Sequence, residues 1–577
     1  MSNQMMAGTA ANSSDGAPDE IRGLLGTFRH FFKSVMWLSF VMNILMLAPT
    51  FYMLQVFDRV MSSHNEMTLI MLSIAVVLAF AFHSFLEYMR SLIVIRIGNR
   101  FDTRLNERIY TAAFRANLQQ KGVNAGQALN DLTAIRQFLT GQTLFSVLDA
   151  PWFPINLAII FLFNVKVGLF ALVGAVLLVV LTYYSEKTGK NPLKMASDKS
   201  IMASNMASNT LRNADVIEAM GMLGNLKARW HKIHLHFLAL QAHASEKVAL
   251  ISALTKFVRS TWQSLILGLG AYLALNNDIS PGMMMAGSIL MGRVLSPIEG
   301  LIGAWKQLDG TRNSYERLQK LLATSPPEQE AMSLPAPEGH LSVEQASVAP
   351  PGSSKVIIKG ITFAIEPGDV LGILGPSGAG KSTLARMLVG VWQPNLGKVR
   401  LDSADVHQWN KLELGKFVGY LPQDIELFAG TVSENIARFE EVDSEKVIKA
   451  AKLVGLHDVI LRLPKGYDTV ITDGGASLSG GQRQRIGLAR AVYDDPQFIV
   501  LDEPNSNADE AGENALVKLL ESLRLDNKTV ILITHRTRIL NQTTKLLLLN
   551  EGALQFFDTT AKVLEKLREP QQQRLAS

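Results

Sequence analysis

The stretch "DVLGILGPSGAGKSTLARML", Asp369–Leu388, sets an apolar run, a glycine-rich turn and an amphipathic run in immediate succession. That order predicts strand, loop and helix. The turn, Gly375, Pro376, Ser377, Gly378, Ala379, Gly380, Lys381, Ser382 and Thr383, has a glycine, four residues and then Gly-Lys-Ser, the spacing of a loop that cradles phosphate. Its glycines let backbone N–H groups approach phosphate oxygens, and a helix starting near Lys381 aims its positive end at the same anion. Lys381 is expected to reach the β- and γ-phosphates, and the Ser382 hydroxyl to ligate Mg²⁺.

Two further apolar runs end in chemistry. "FIVLDEP", Phe498–Pro504, closes with two carboxylates: Asp502 is placed to hold Mg²⁺ and Glu503 to polarise the attacking water. "LITHR" puts His535 where an imidazole can reach the γ-phosphate. "LSGGQRQR", Leu478–Arg485, is a second anion-seeking helix start, a serine and two glycines followed by a helix. The first loop already takes the phosphates of one nucleotide. This second site therefore calls for another nucleotide or another chain.

The first half of the chain is of a different kind. Of 577 residues, 48% are hydrophobic and 19% charged, below the usual quarter, and the deficit falls between residues 34 and 305. Charge-free runs at Ser34–Phe57, Met67–Leu86, Val167–Ser185 and Ser260–Asn277 are each long enough to cross roughly 30 Å of hydrocarbon as a helix. A fifth run, Leu144–Val165, is broken by Asp149 and two prolines, and a sixth, Ile279–Ala304, carries Arg293 and Glu299. Charges within spans are costly, so they should pair internally or face a wet pathway.

Basic residues set the orientation. Arg22, Arg29 and Lys33 precede the first run, and Arg90, Arg96, Arg100, Arg104 and Arg108 follow the second, whereas "NNDISPG" has none. The bias places the N-terminus and the long connecting segments in the cytosol. A domain that hydrolyses cytosolic ATP then requires an even number of spans, and six fits. Residues 90–143 and 186–248 are expected to be helical extensions with elbows near Phe114–Asn124 and Ala207–Leu223. A chain without cysteine has no disulfide, thiolate metal site or cysteine nucleophile. The net charge of +5 is small for this length and no basic stripe stands out, which argues against a nucleic-acid partner.

The order GPSGAGKST, "LPQD" with Gln423, LSGGQ, FIVLDEP, "SNAD" (Ser506–Asp509) and His535 resembles the ABC transporter ATPases. The resemblance implies a head-to-tail dimer. Each ATP would lie between one chain's phosphate loop and Ser479, Gly480, Gly481 and Gln482 of the partner subunit. Gln423 would sense the γ-phosphate and join Ser382 and Asp502 at Mg²⁺. "ITDGG" is similar to the exporter loop that meets the elbows, with Asp473 where many exporters carry glutamate. Spans ahead of the cassette are, by the same resemblance, the exporter arrangement. The expected fold is thus a membrane α-helical six-span exporter domain fused to a cytosolic α/β P-loop ABC ATPase domain. Expected boundaries are a disordered tail at 1–25, the exporter domain at 26–322, a proline-rich linker at 323–340, the ATPase domain at 341–565 and a tail at 566–577.

"NILMLAPTFYMLQVFDRVMSSHNEMTL", "SLIVIRIGNRFDTRLNERIY", "LDAPWFP" and "ASVAPPGSSKVIIKGITF" sharpen the likeness. They resemble the type I protein-secretion ATPases, in the group that exports proteases, lipases and haemophores from Gram-negative bacteria. The implied activity is ATP-driven export of an unfolded polypeptide bearing a C-terminal signal across the inner membrane. Implied partners are a second copy of the chain, a periplasmic adaptor, an outer-membrane channel and membrane lipid. About 30 residues precede the first span and no cysteine is present, so no trimming of a leader peptide is expected. An exporter of lipid or small hydrophobic molecules would share every ATPase motif and stands as the alternative. A regulator that binds ATP without productive hydrolysis fits poorly beside Glu503 and His535. One element departs from the family pattern: Pro350 stands where many ABC domains place an adenine-stacking aromatic residue, which predicts weak base selectivity.

Overall fold

The computed structural model describes residues 20–119, 125–326, 333–472, 475 and 478–566. The expected tails up to Asp19 and from residue 567, Gln120–Asn124 of the first elbow, linker residues 327–332 and Asp473 lie outside them. The chain divides into a helical unit ending at Pro326 and an α/β unit from Pro327 onward.

In the helical unit the periodic segments run on as very long helices. Glu66–Gln119 has 54 residues, Val165–Arg212 has 48 and Leu223–Leu275 has 53, and at 1.5 Å per residue each is on the order of 70–80 Å long. Such lengths exceed a bilayer, so apolar and charged halves of one helix serve different media. The second elbow is a six-residue helix, Ala214–Ala219, between two of these rods. Residues 20–25, expected within the disordered tail, instead form a helix, Glu20–Thr27. The reason is local. Ile21 is buried, and the Arg108 guanidinium donates to Glu20 at 3.1 Å and to the Ser325 carbonyl.

Among the described residues four helical stretches are long and apolar enough to cross a membrane: Arg29–Ser63, Glu66–Gln119, Gln142–Phe163 and Val165–Tyr184. The expected spans at Ser260–Asn277 and Ile279–Ala304 also form helix, largely within Leu223–Leu275 and Pro281–Thr324, but fall short on composition. One side of each packs inward: Ile266, Leu273, Leu290, Met291, Val294 and Leu295 join Ala171, Ala175 and Leu178 in one core. A helix face packed against neighbours tolerates polar positions that lipid would penalise. Pro151 and the residues around it turn Ala150–Trp152 into a 3₁₀ segment, as the broken apolar pattern predicts.

In the α/β unit a six-stranded sheet has the spatial order Ala553–Thr559, Lys545–Asn550, Val370–Leu374, Thr529–Ile533, Phe498–Asp502 and Val418–Leu421. All neighbours are parallel except the first pair. The three central strands are buried on both faces, which explains their unbroken apolar runs. A second, antiparallel sheet is built from Ile358–Ile365, Leu341–Val348, Leu396–Leu401 and Ala404–Asp405. The parallel register carries Gly375, Gln423, Glu503 and His535 past the carboxyl ends of four adjacent strands. That edge is where open α/β sheets bind ligands.

Candidate functional site

The phosphate loop begins at the end of Val370–Leu374 and ends on the helix Lys381–Leu388. Gly380 precedes that helix with φ 100°, a backbone state that favours glycine. At Gly375 a Cβ atom would lie 2.2 Å from the Leu549 carbonyl oxygen, so no side chain fits. Lys381 is 8% exposed, and its ammonium donates to the Gly375 and Pro376 carbonyls at 2.8 and 3.1 Å. The cation is therefore held over its own loop, inside the curve that phosphate oxygens would enter. Ser377, Gly378, Ala379 and Thr383 complete this loop and the first turn of the helix.

Four oxygen-bearing side chains converge beside it. The Ser382 hydroxyl lies 3.4 Å from Gln423 Oε1, and Gln423 Nε2 lies 3.3 Å from Glu503 Oε2. Asp502 is 2% exposed, and its Oδ1 is buried without a hydrogen-bond partner among the described residues. Burial pushes the Asp502 carboxyl above the usual carboxylate range, against a smaller lowering by Ser382. A buried carboxylate oxygen without a donor, next to a hydroxyl and an amide oxygen, is the set a hard divalent cation takes. Among the described residues no three histidine or acidic side chains gather as a protein-only cage. The set therefore fits Mg²⁺ held in part by phosphate, with Ser382, Gln423 and Asp502 as the protein's share.

Glu503 sits in the left-handed region with φ 52°. Such a conformation costs of order 1–3 kcal/mol and persists where surrounding bonds over-determine it. Its N–H donates to the Ile533 carbonyl at 3.0 Å, and its own carbonyl accepts from Gln484 Nε2 at 3.0 Å. His535 lies two residues beyond the strand Thr529–Ile533 and is exposed, on the same sheet edge.

The signature segment is held apart from this group. Ser479 caps the helix Gly480–Val492: its hydroxyl accepts from the Gln482 N–H at 3.2 Å, while Gln482 Oε1 accepts from the Ser479 N–H at 2.9 Å. This reciprocal box leaves the serine O–H proton free to point at an anion. Gly480 and Gly481 lie against Asn507, not against the chain's own phosphate loop. The structure thus brings Gly375–Thr383, Gln423, Asp502 and Glu503 together and leaves Ser479–Gln482 facing elsewhere.

Gln484 escaped the sequence reading. It is 3% exposed and bonds to Glu503, Ser506 and Asn507. Its signal was a polar residue at i against the buried Gly487, Leu488 and Ala491 at i+3, i+4 and i+7.

Two family profiles match the chain, the ABC transporter profile over residues 358–506 and the ABC transporter transmembrane region over residues 34–298. The type I secretion system ATP-binding protein PrsD of Rhizobium meliloti (strain 1021) is 42% identical, over 92% of this chain and 92% of its own length. The chain belongs to the ABC transporter family. It is an ATP-hydrolysing, multi-pass membrane transporter of the type I secretion group. The leukotoxin export ATP-binding protein LtxB of Aggregatibacter actinomycetemcomitans is 27% identical, over 91% of this chain and 75% of its own. A solved bacterial Atm1-family ABC exporter with ATP bound superposes with a TM-score of 0.80 at 21% identity, covering 96% of this chain and 99% of its own. That likeness is one of fold.

Proposed function

We propose that two copies of this chain form an ATP-driven exporter of unfolded polypeptide in the inner membrane. The cargo carries a C-terminal signal and passes to a periplasmic adaptor and an outer-membrane channel. Residues 26–322 form the exporter domain and residues 341–565 the ATPase domain. The observation that carries this reading is the 42% identity to PrsD, a type I secretion ATP-binding protein, across 92% of both chains.

The site supports the chemistry. Lys381 and the loop N–H groups hold the triphosphate. Glu503 polarises the attacking water, His535 contacts the γ-phosphate, and Ser382, Gln423 and Asp502 hold Mg²⁺, which neutralises charge developing on the phosphate oxygens. The enclosure is incomplete in one chain, because Gly480 and Gly481 lie against Asn507 rather than the phosphate loop. A second copy arranged head to tail supplies that helix start.

The test is to purify the complex from its native membrane with nucleotide trapped as ADP–vanadate and to identify what comes with it. A polypeptide co-purifying with the wild-type chain, absent from a Lys381→Ala control that cannot trap nucleotide, is the expected result. Recovery of lipid alone would move the reading to a lipid exporter.

A further inference from the structure

The Gln484 side chain has every polar atom committed inside one chain. Nε2 donates to the Glu503 carbonyl at 3.0 Å and to the Ser506 hydroxyl at 3.1 Å, and Oε1 accepts from the Asn507 N–H at 2.9 Å. Reversing the amide would set an NH₂ group against the Asn507 N–H, so the network fixes its orientation. Around it the same two segments meet again. A Cβ on Gly481 would lie 3.1 Å from the Asn507 carbonyl oxygen, and Arg485 pairs with Asp509. The first turns of the signature helix are thus joined to residues 503–509 by a buried amide, a backbone approach and an ion pair.

The position of Glu503 gives this junction its meaning. The residue is held in a left-handed conformation, with its N–H fixed by Ile533 and its carbonyl by Gln484. A shift of the Glu503 backbone, as its carboxylate aligns a water, has to move the amide bonded to it. That amide lies five residues along from Ser479, whose capping box makes the helix start one rigid turn.

We propose that Gln484 is a positioning residue that couples the two ATP sites of the dimer, by tying the signature helix offered to the partner's nucleotide to the backbone of this chain's own Glu503. The inference rests on the head-to-tail dimer read above. Gln484 touches neither nucleotide; it acts through Glu503 and the helix start.

The test measures ATP hydrolysis against ATP concentration for the full chain in lipid nanodiscs, comparing wild type with Gln484→Leu and Gln484→Glu. Wild type should be cooperative. Gln484→Leu should lower kcat by about tenfold or more, leave KM within about threefold, and bring the Hill coefficient to about 1. Gln484→Glu keeps the acceptor for Asn507 but loses both donations, so it should fall between them. It also carries the test if the leucine variant does not fold. Binding of a fluorescent ATP analogue should be unchanged in both. A lowered kcat with an unchanged Hill coefficient, or a non-cooperative wild type, overturns the coupling. A particle that mass photometry shows to be a monomer, yet hydrolyses at the full rate, overturns the dimer reading instead.

Discussion

In the membrane half, Arg90 is 3% exposed and meets Asp149 at 2.9 Å, with the Ser39 hydroxyl 3.0 Å away and the Phe145 ring beneath it. In the ATPase half, Arg438 is half-buried and meets no carboxylate in hydrogen bonding among the described residues; its guanidinium donates to the carbonyls of Gly415, Val418, Arg490, Ala491 and Tyr493. The difference follows from what each half leaves unsatisfied. A membrane helix spends its backbone groups on itself, so a buried cation there has to find a side chain. An α/β domain is full of helix ends, and Arg438 sits on the carbonyls that close the signature helix, where the helix dipole favours positive charge. Burial still pulls the pKa of Arg438 down, and that of its neighbour Arg490 to about 10.

The same contrast extends to the acids. Glu299 pairs with Arg259, as Asp149 does with Arg90, so the in-span acids take the internal-pairing role. Arg293 differs, since its Nη1 is buried with no hydrogen-bond partner among the described residues. In the ATPase half Asp502 Oδ1 and Glu413 Oε2 are likewise buried with no hydrogen-bond partner among the described residues; Asp502 is the one that lies beside Ser382.

Breaking a matched pair should have the largest effect. Asp149→Asn leaves Arg90 buried without its counter-charge and should cost about 3–5 kcal/mol, read as lost yield and early thermal unfolding of the detergent-solubilised protein. Arg90→Met combined with Asp149→Leu should recover most of that loss. If the double variant is as poor as the single, the pair is not what the membrane half requires.

Asp502→Asn should act the other way on stability. A carboxyl whose folded pKa is raised contributes stability in its protonated form, and loses it as pH rises through that pKa. At neutral pH the ionised Asp502 therefore costs the metal-free protein stability. The asparagine variant should unfold about 2–4 °C higher in EDTA, with the gain shrinking toward pH 4, while its Mg²⁺-dependent hydrolysis collapses. A variant less stable than wild type at pH 7 would refute this.

The smallest effect concerns the base. The segment around Pro350 offers no ring to stack on adenine, and base–aromatic stacking contributes about 1–3 kcal/mol. ATP and GTP should be hydrolysed within about tenfold of each other in kcat/KM, and a hundredfold preference for ATP would locate a stacking surface elsewhere.

Much of this was legible in the chain itself. The phosphate loop, the strand ending in Asp502 and Glu503, and the charge-free runs depend on residue type and spacing over fewer than 25 neighbours, and local physics decides them. The spans at Ser260–Asn277 and Ile279–Ala304 were less legible, because their apolar positions are interrupted by polar ones and form one packed side, against Ala171, Ala175 and Leu178. Residues 20–25 read as tail because their partner, Arg108, lies 88 positions away.

By itself the sequence determined which groups do chemistry, since a glycine loop, a paired carboxylate and a serine–glycine helix start each carry their chemistry in a few adjacent residues. Only the tertiary structure decided that Glu503 is held in a left-handed turn, that Gln484 joins it to the signature helix, and that Asp149 and Glu299 each have an arginine opposite. Those relations link positions 19 to 59 residues apart, and only the folded packing brings such distant partners within hydrogen-bond reach.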